Sequence, residues 1–203
     1  MSIGIDMKEV LAEIGISVLN RRTLDSGEFI DYEPNAQVTK PFIREFFLEG
    51  ALSYDTEQIV GDIINFTVLD RDYILMSLTP ESLENEPYLY GGVYYRCNVS
   101  GEIQRPSGEA DWDEDYRKTT LFEPVETNVY ALQTEPLFGT DLDTQSQIGD
   151  IVIESDELYI PSSYGIKVKD RYQSSSGEYY IVDTVLKRRF SGVDVCKVSE
   201  DTR

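Results

Sequence analysis

The chain has 203 residues, 40% hydrophobic and 11% aromatic, with 18 Lys+Arg, 38 Asp+Glu, no His and a formal net charge of −20. The lack of His excludes a Ser-His-Asp triad, an imidazole base and an imidazole metal ligand, and two cysteines are too few for a zinc site. The carboxylate excess argues against the clustered Lys/Arg surface that grips phosphate, while the 14 tyrosines set the chain apart from a disordered acidic tail.

A short helix is expected first. Asp6 is placed to cap it, Glu9 follows three residues later as in a capping box, and Met7, Val10, Leu11 and Ile14 share helical spacing. Gly15 suits its end. So short a helix must dock on the rest of the chain. The opening segment lacks the basic and apolar regions of a signal peptide, and no apolar run reaches membrane-spanning length. A protein made and kept in the cytoplasm, or assembled there into something larger, is the expectation.

After Gly15, runs of β-branched and aromatic residues alternate with turn residues. The predicted strands are 16–21, 59–69, 73–78, 92–99, 128–133, 149–154, 166–172, 178–186 and 193–198. Ile166-Lys-Val-Lys169 alternates as a strand with one buried face. Residues 41–48 read equally as a helix capped by Thr39 and ended by Gly50, or as a buried strand. Residues 82–87 and 108–115 read as polar acidic loops, and Ser174–Gly177 and Arg189–Gly192 as turns. Lys187-Arg188-Arg189 reads as a solvated hairpin tip. Cys97 and Cys196 each sit in a strand-like run, as free buried thiols do.

Four segment pairs recur in order. Arg22 pairs with Arg105, Ser26-Gly-Glu28 with Ser107-Gly-Glu109, Ile59-Val-Gly-Asp62 with Gln147-Ile-Gly-Asp150, and Gly92-Val-Tyr-Tyr95 with Gly177-Glu-Tyr-Tyr180. Offsets that drift so little fit a tandem duplication with loop insertions. The charge divides evenly: residues 1–99 carry 7 basic and 17 acidic groups, residues 100–203 carry 11 and 21, so each half is −10. The predicted architecture is all-β: two tandem small β-barrel or sandwich modules with a short N-terminal helix. The first module spans 1–99 and the second 100–203.

The C-terminal stretch runs Leu158-Tyr-Ile-Pro161, Ile166-Lys-Val-Lys-Asp-Arg-Tyr172, Gly177-Glu-Tyr-Tyr-Ile-Val182, then Val193-Asp-Val195. This order resembles the head-closure (stopper) and related head–tail connector proteins of tailed bacteriophages. The resemblance is best over about 147–198 and reaches 16–99 through the repeat. Many such proteins are a single small barrel, whereas two modules are expected here. The resemblance implies a non-enzymatic structural protein of the virion neck, without cofactor or metal. It implies a self-assembled ring, 6- or 12-fold, between the portal or adaptor and the tail terminator. Double-stranded DNA would pass through it without specific binding, and no membrane is involved. Tail-terminator, tail-completion and baseplate roles stay open beside it, as does a monomeric acidic adaptor that mimics nucleic acid. A carboxylate-pair hydrolase needs no His, but no motif places two acids at a defined strand end.

The candidate interaction residues are Asp111, Trp112, Asp113, Glu114, Asp115 and Tyr116. An acidic run with aromatic anchors lines a lumen or docks on a basic partner, the aromatics giving area and the charge steering. The bland reading is a solvated loop. Calcium-loop spacing is absent, since Tyr116 stands where a glycine is needed. Tyr88, Tyr90, Tyr94 and Tyr95 read as barrel rim or as subunit interface.

Overall fold

The computed structural model describes residues 3–34, 46–112, 118–134 and 156–201, with the side chains of 109–112 and 118–119 outside that description. Among the described residues one α-helix precedes twelve strands: α1 (Ile3–Ile14), β1 (Ile16–Asn20), β2 (Asp25–Pro34), β3 (Phe47–Ser53), β4 (Ile63–Phe66), β5 (Arg71–Leu83), β6 (Glu86–Arg96), β7 (Val99–Trp112), β8 (Lys118–Thr134), β9 (Asp156–Pro161), β10 (Arg171–Ser174), β11 (Tyr179–Leu186) and β12 (Val193–Glu200). They form two closed six-stranded barrels, ordered β1-β2-β3-β6-β5-β4 and β7-β8-β9-β12-β11-β10. In each, a three-strand meander is followed by a second, and the first strand of one pairs with the first strand of the other. The predicted pair of β-modules with a leading helix is thus the fold, in its barrel form. Two compact units are present: Met1–Cys97 with Phe190–Val193, and Asn98–Arg189 with Asp194–Arg203.

The first core gathers Val18, Ile30, Leu48, Leu52, Ile64, Phe66, Tyr73, Leu75 and Tyr94. Phe66 sits at its centre, edge-on to Tyr32, Tyr73 and Tyr94 at centroid distances of 5.5, 4.9 and 5.3 Å, the arrangement that ring quadrupoles favour. The Tyr94 hydroxyl donates to Gln58 Oε1 at 3.2 Å, so its polar end is satisfied inside. Gly50 and Gly92 lie directly opposite each other on β3 and β6. A Cβ on Gly92 would come 2.9 Å from the Tyr94 ring, and one on Gly50 2.6 Å from Ile30 Cγ2. The paired glycines make room for that ring. The second core is built mainly from aliphatic residues around one buried ring, Tyr172: Ile103, Val129, Ala131, Leu158, Ile160, Ile166, Val182, Cys196 and Val198. Its hydroxyl donates to the Val129 carbonyl at 3.4 Å.

The helix docks as expected, packing against β2, β3 and β6 through Leu11, with Gly4 against the Tyr54 ring. Its start differs: it begins at Ile3, so Asp6 lies within the first turn rather than capping it. There its charge favours the helix through the dipole. Gly15 closes the helix by donating to the Leu11 carbonyl at 2.8 Å, a side on which a Cβ would clash.

Several strand limits need correction. Phe47 and Leu48 begin β3, so this end of the ambiguous 41–48 segment is strand; 41–45 lie outside the described residues. Residues 82–87 are not a loop. Only Glu84 and Asn85 separate β5 from β6, both with positive φ (51° and 70°), the backbone of a two-residue hairpin turn that follows strand twist. Residues 108–112 belong to β7. The alternation at 166–169 is not a strand: Ile166 is buried, Val168 is 52% exposed, and Lys169 has φ 73°. The strand starts only at Arg171. The predicted strand 149–154 lies outside the described residues.

The segment matches behind the predicted duplication mostly do not coincide with equivalent elements. Ser26-Gly-Glu28 is in β2, but Ser107-Gly-Glu109 is in β7, the counterpart of β1. Gly92-Val-Tyr-Tyr95 is in β6, while the Tyr179-Tyr180 of its match opens β11, the counterpart of β5. Gln147–Asp150 lies outside the described residues. Arg22 and Arg105 alone are true counterparts.

Candidate interaction surface

Each of these two arginines closes a turn within its own barrel. Arg22 Nε and Nη2 donate to Asp62 Oδ1 and Oδ2 at 2.7 and 2.9 Å, and Nη2 also reaches the Glu57 carbonyl at 2.9 Å. Arg105 Nε and Nη2 donate to Asp170 Oδ1 and Oδ2 at 2.9 and 2.7 Å, and Nη2 reaches the Gly165 carbonyl at 3.1 Å. Both aspartates stand just before the fourth strand of their barrel and are almost fully buried, at 4% and 1% exposure. Each carboxylate also accepts a backbone N–H from three residues earlier, Ile59 at 3.1 Å and Lys167 at 2.9 Å. The turns match atom for atom beyond the carboxylates. Gly61 N–H donates to the Leu75 carbonyl and Lys169 N–H to that of Val182; Asp62 and Asp170 carbonyls then accept from the same two residues. A fork of parallel N–H···O bonds with the remaining lone pairs filled is the geometry in which a buried ion pair is tolerated. These clasps are structural.

The second unit carries a two-stranded arm. From Gly101 to Gln104, β7 pairs with β10, and from Leu132 to Thr134, β8 pairs with β9. Among the described residues, Arg105–Trp112 pairs with β8 alone. The ribbon is interrupted between Pro106 and Ala110, where Gly108 takes φ 82°. At its root the Arg171 guanidinium lies between the Phe122 and Tyr179 rings, 4.1 and 4.5 Å from their centroids, and donates twice to Gln104 Oε1 at 2.9 and 2.7 Å. Gln104 Nε2 in turn donates to Gln173 and to Glu102. The arm therefore leaves the barrel on a stiff base. On the ribbon Leu121 is 41% exposed, and Val125, at the bulge opposite Ile103 and Gln104, is 44% exposed.

Asp111 and Trp112, two of the six candidate residues, end β7 opposite Thr119 and Lys118. Asp113, Glu114, Asp115 and Tyr116 lie outside the described residues. The tyrosine group splits. Tyr94 is core, Tyr90 packs against that core, Tyr95 meets Phe47 edge-on at 4.7 Å, and half-buried Tyr88 donates to Glu81. The basic run 187–189 does connect β11 to β12 and is exposed, with Arg189 donating to both Glu157 oxygens. Both cysteines are free. Burial pushes the Cys196 thiol up to about 12.

The outer face of β2, β3, β6 and β5 holds a shallow groove of about 530 Å³, floored by Ala51 and Gly91 and flanked by Asp31, Glu33, Glu49 and Glu81. Glu33 and Glu49 are direct cross-strand partners, a placement that ordinarily costs a few tenths of a kcal/mol or more, to ~1. The groove presents negative potential to anything that approaches. No trio of His, Cys, Asp or Glu among the described residues is arranged to hold a metal ion, and no described helix is long and apolar enough to cross a membrane.

Sequence reading missed the arm. Its clues were Pro106 and Pro124, one in each strand, which mark strands outside a sheet interior. It also missed Asp170 as the partner of Arg105, because no spacing rule links residues 65 apart. No protein-family model, curated protein or solved structure matches the chain.

Proposed function

We propose that the protein is a non-enzymatic structural component of a tailed-phage virion, a neck protein that assembles as a ring between the DNA-filled head and the tail. The observation that carries this reading is the pair of closed barrels with one strand order, each braced by the same arginine–aspartate clasp. Such barrels expose no sheet edge of their own, and rigid modules of this kind suit an assembly that bears load. The connector-like order of segments in the second barrel supports the same reading. So does the charge. At −10 in each half it is spread over the whole chain rather than held in a tail, and an acidic wall avoids the counterion release by which Lys/Arg surfaces hold DNA. Positions in the tail terminator, the tail-completion complex or the baseplate belong to the same class of assembly.

The test is co-purification with virions followed by particle imaging, with mass photometry of the isolated protein. Ring-shaped density at the head–tail junction is expected. A protein absent from particles and monomeric at every concentration overturns the proposal. A monomer that instead captures a basic enzyme, with affinity falling steeply as salt rises, is an acidic adaptor.

A further inference from the structure

We propose that the outer face of α1 is a docking site for a helix of another protein, one whose apolar row is flanked by Lys or Arg. The site is independent of the ring reading and holds for a monomer as well. A surface helix turns its apolar stripe to the core, and the spacing of Met7, Val10, Leu11 and Ile14 predicts one such stripe. The structure divides it. Toward the barrel go Gly4 and Leu11, both buried. Away from it go Ile3, Val10 and Ile14, exposed by 44%, 42% and 62%, with half-buried Met7 among them. Positions 3, 7, 10 and 14 step by four, three and four, the spacing of the knobs that one helix inserts into another. The row runs for roughly 16 Å along the helix. Among the described residues twelve large apolar side chains are exposed, and four of them, Ile5 included, lie on this helix. Single exposed apolar residues are ordinary, whereas a contiguous row marks a surface that meets something.

Charge selects the occupant. Asp6 and Glu13 each precede a member of the row, Met7 and Ile14, so they form an acidic line along its free side. The other side is closed by the barrel, against which Leu11 packs. The helix's one cation, Lys8, is held by Asp55 at 2.6 Å and does not offset them. A helix lying along the row at ~8–10 Å meets carboxylates on its open flank. Lys or Arg there would pair with them as flanking charges do in coiled coils. A second copy does not fit. Antiparallel to the first, it would set Asp6 and Glu13 against Glu13 and Asp6; parallel, it would need the Leu11 side that the barrel fills. At −20 per chain the copies also repel.

The experiment uses the full-length protein and two labelled peptides of about three heptads. Each has Ile and Leu in its apolar row; one is flanked by Lys and its twin by Glu. Fluorescence anisotropy is expected to show saturable binding of the Lys peptide and none of the Glu peptide. Val10→Asn/Ile14→Asn should weaken the Lys peptide at least tenfold at unchanged net charge, with the wild-type urea midpoint kept. Glu13→Lys should weaken it at least threefold. That change puts a cation in the last turn of the helix, which the dipole favours, so the loss is not one of folding. Glu200→Lys, the same change of charge on the second barrel, should leave binding as it is. Should the Asn variant fail to fold, the two Lys variants decide. Equal binding by wild type and a folded Asn variant, equal loss from Glu13→Lys and Glu200→Lys, binding of the Glu peptide, or no saturable binding of the Lys peptide overturns the inference and leaves the ring reading standing. Wild-type oligomers that the Asn variant loses give the row to a second copy and overturn it likewise.

Discussion

Arg105 reaches 65 residues along the chain to hold both carboxylate oxygens of Asp170, at 2.9 and 2.7 Å. The contact joins β7, just past the stretch that pairs with β10, to the start of β10, and Arg22 with Asp62 likewise joins the residues after β1 to the start of β4. These pairs close the seam where the two meanders of each barrel meet.

Arg105→Ala leaves Asp170 buried without its counter-charge; because the guanidinium is itself partly exposed, the expected loss is ~1–3 kcal/mol. Asp170→Asn removes the charge that needs pairing. The double variant should therefore lose clearly less than the two single losses combined. Urea unfolding of the four proteins measures this, and additive losses would show that the clasp is not one unit. Arg22→Ala should match Arg105→Ala to within about 1 kcal/mol, given the shared geometry.

Adjacent glycines in β6 should behave oppositely. A Cβ at Gly92 meets the Tyr94 ring at 2.9 Å and Leu52 at 3.0 Å, whereas at Gly91 the nearest atom is 3.8 Å away. Gly92→Ala should cost ~1–3 kcal/mol through overpacking. Gly91→Ala should be neutral or stabilise by up to ~1 kcal/mol, since it restricts the unfolded chain without a clash. Thermal unfolding of both variants checks the ordering; equal loss from both would place the Tyr94 ring elsewhere.

Lys169 holds the left-handed conformation, φ 73°, that Gly61 supplies in the first barrel at φ 95°. A non-glycine residue there is strained by about 1 kcal/mol or more. Lys169→Gly should thus be neutral to stabilising by ~1 kcal/mol, although glycine normally weakens a folded protein. Glycine at Lys167, two residues earlier, should destabilise. Paired urea midpoints decide it.

The Cys196 thiol is raised to about 12, first by burial and then by Asp194 and Asp170. In the unfolded chain a thiol ionises near pH 8.5. Between that value and about 12 the unfolded state has lost its proton while the folded state keeps it. The stability linked to this group is therefore full below about pH 8.5 and lost progressively as pH rises. Cys196→Ala should flatten the alkaline fall in stability. Alkylation of Cys196 at pH 8 should be slow in the native protein and fast in denaturant. Rapid native labelling would contradict the burial.

How far the sequence could be read depended on the range of each signal. The helix, the free thiols and most strand cores were legible because periodicity and β-branched content are local properties. The turn at 166–169 was not. Its alternating Ile-Lys-Val-Lys pattern is that of a strand, but Asp170 takes the Lys167 N–H and the Arg105 guanidinium and folds it back. The Gly-Asp signal of the repeat does not carry over, since in the second barrel the pair that matches Gly61-Asp62 is Lys169-Asp170. The glycine that would have flagged it is replaced by a strained lysine. Of the candidate site, Asp111 and Trp112 were named without their setting. That they end a long strand depends on pairing with Lys118 and Thr119, which the acidic composition of the segment concealed.

By itself, the sequence determined an all-β protein of two modules behind a short helix, evenly acidic and without imidazole chemistry. Composition and periodicity are sums over neighbouring residues, and no later packing can alter them. Tertiary structure alone decided that both modules close as six-stranded barrels of one strand order, which arginine meets which aspartate, and that β7 and β8 run on past their barrel as an arm. Closure and ion pairing join residues tens of positions apart. Their selection rests on the geometry of the whole barrel, where a carboxylate buried at 1% exposure must find its partner.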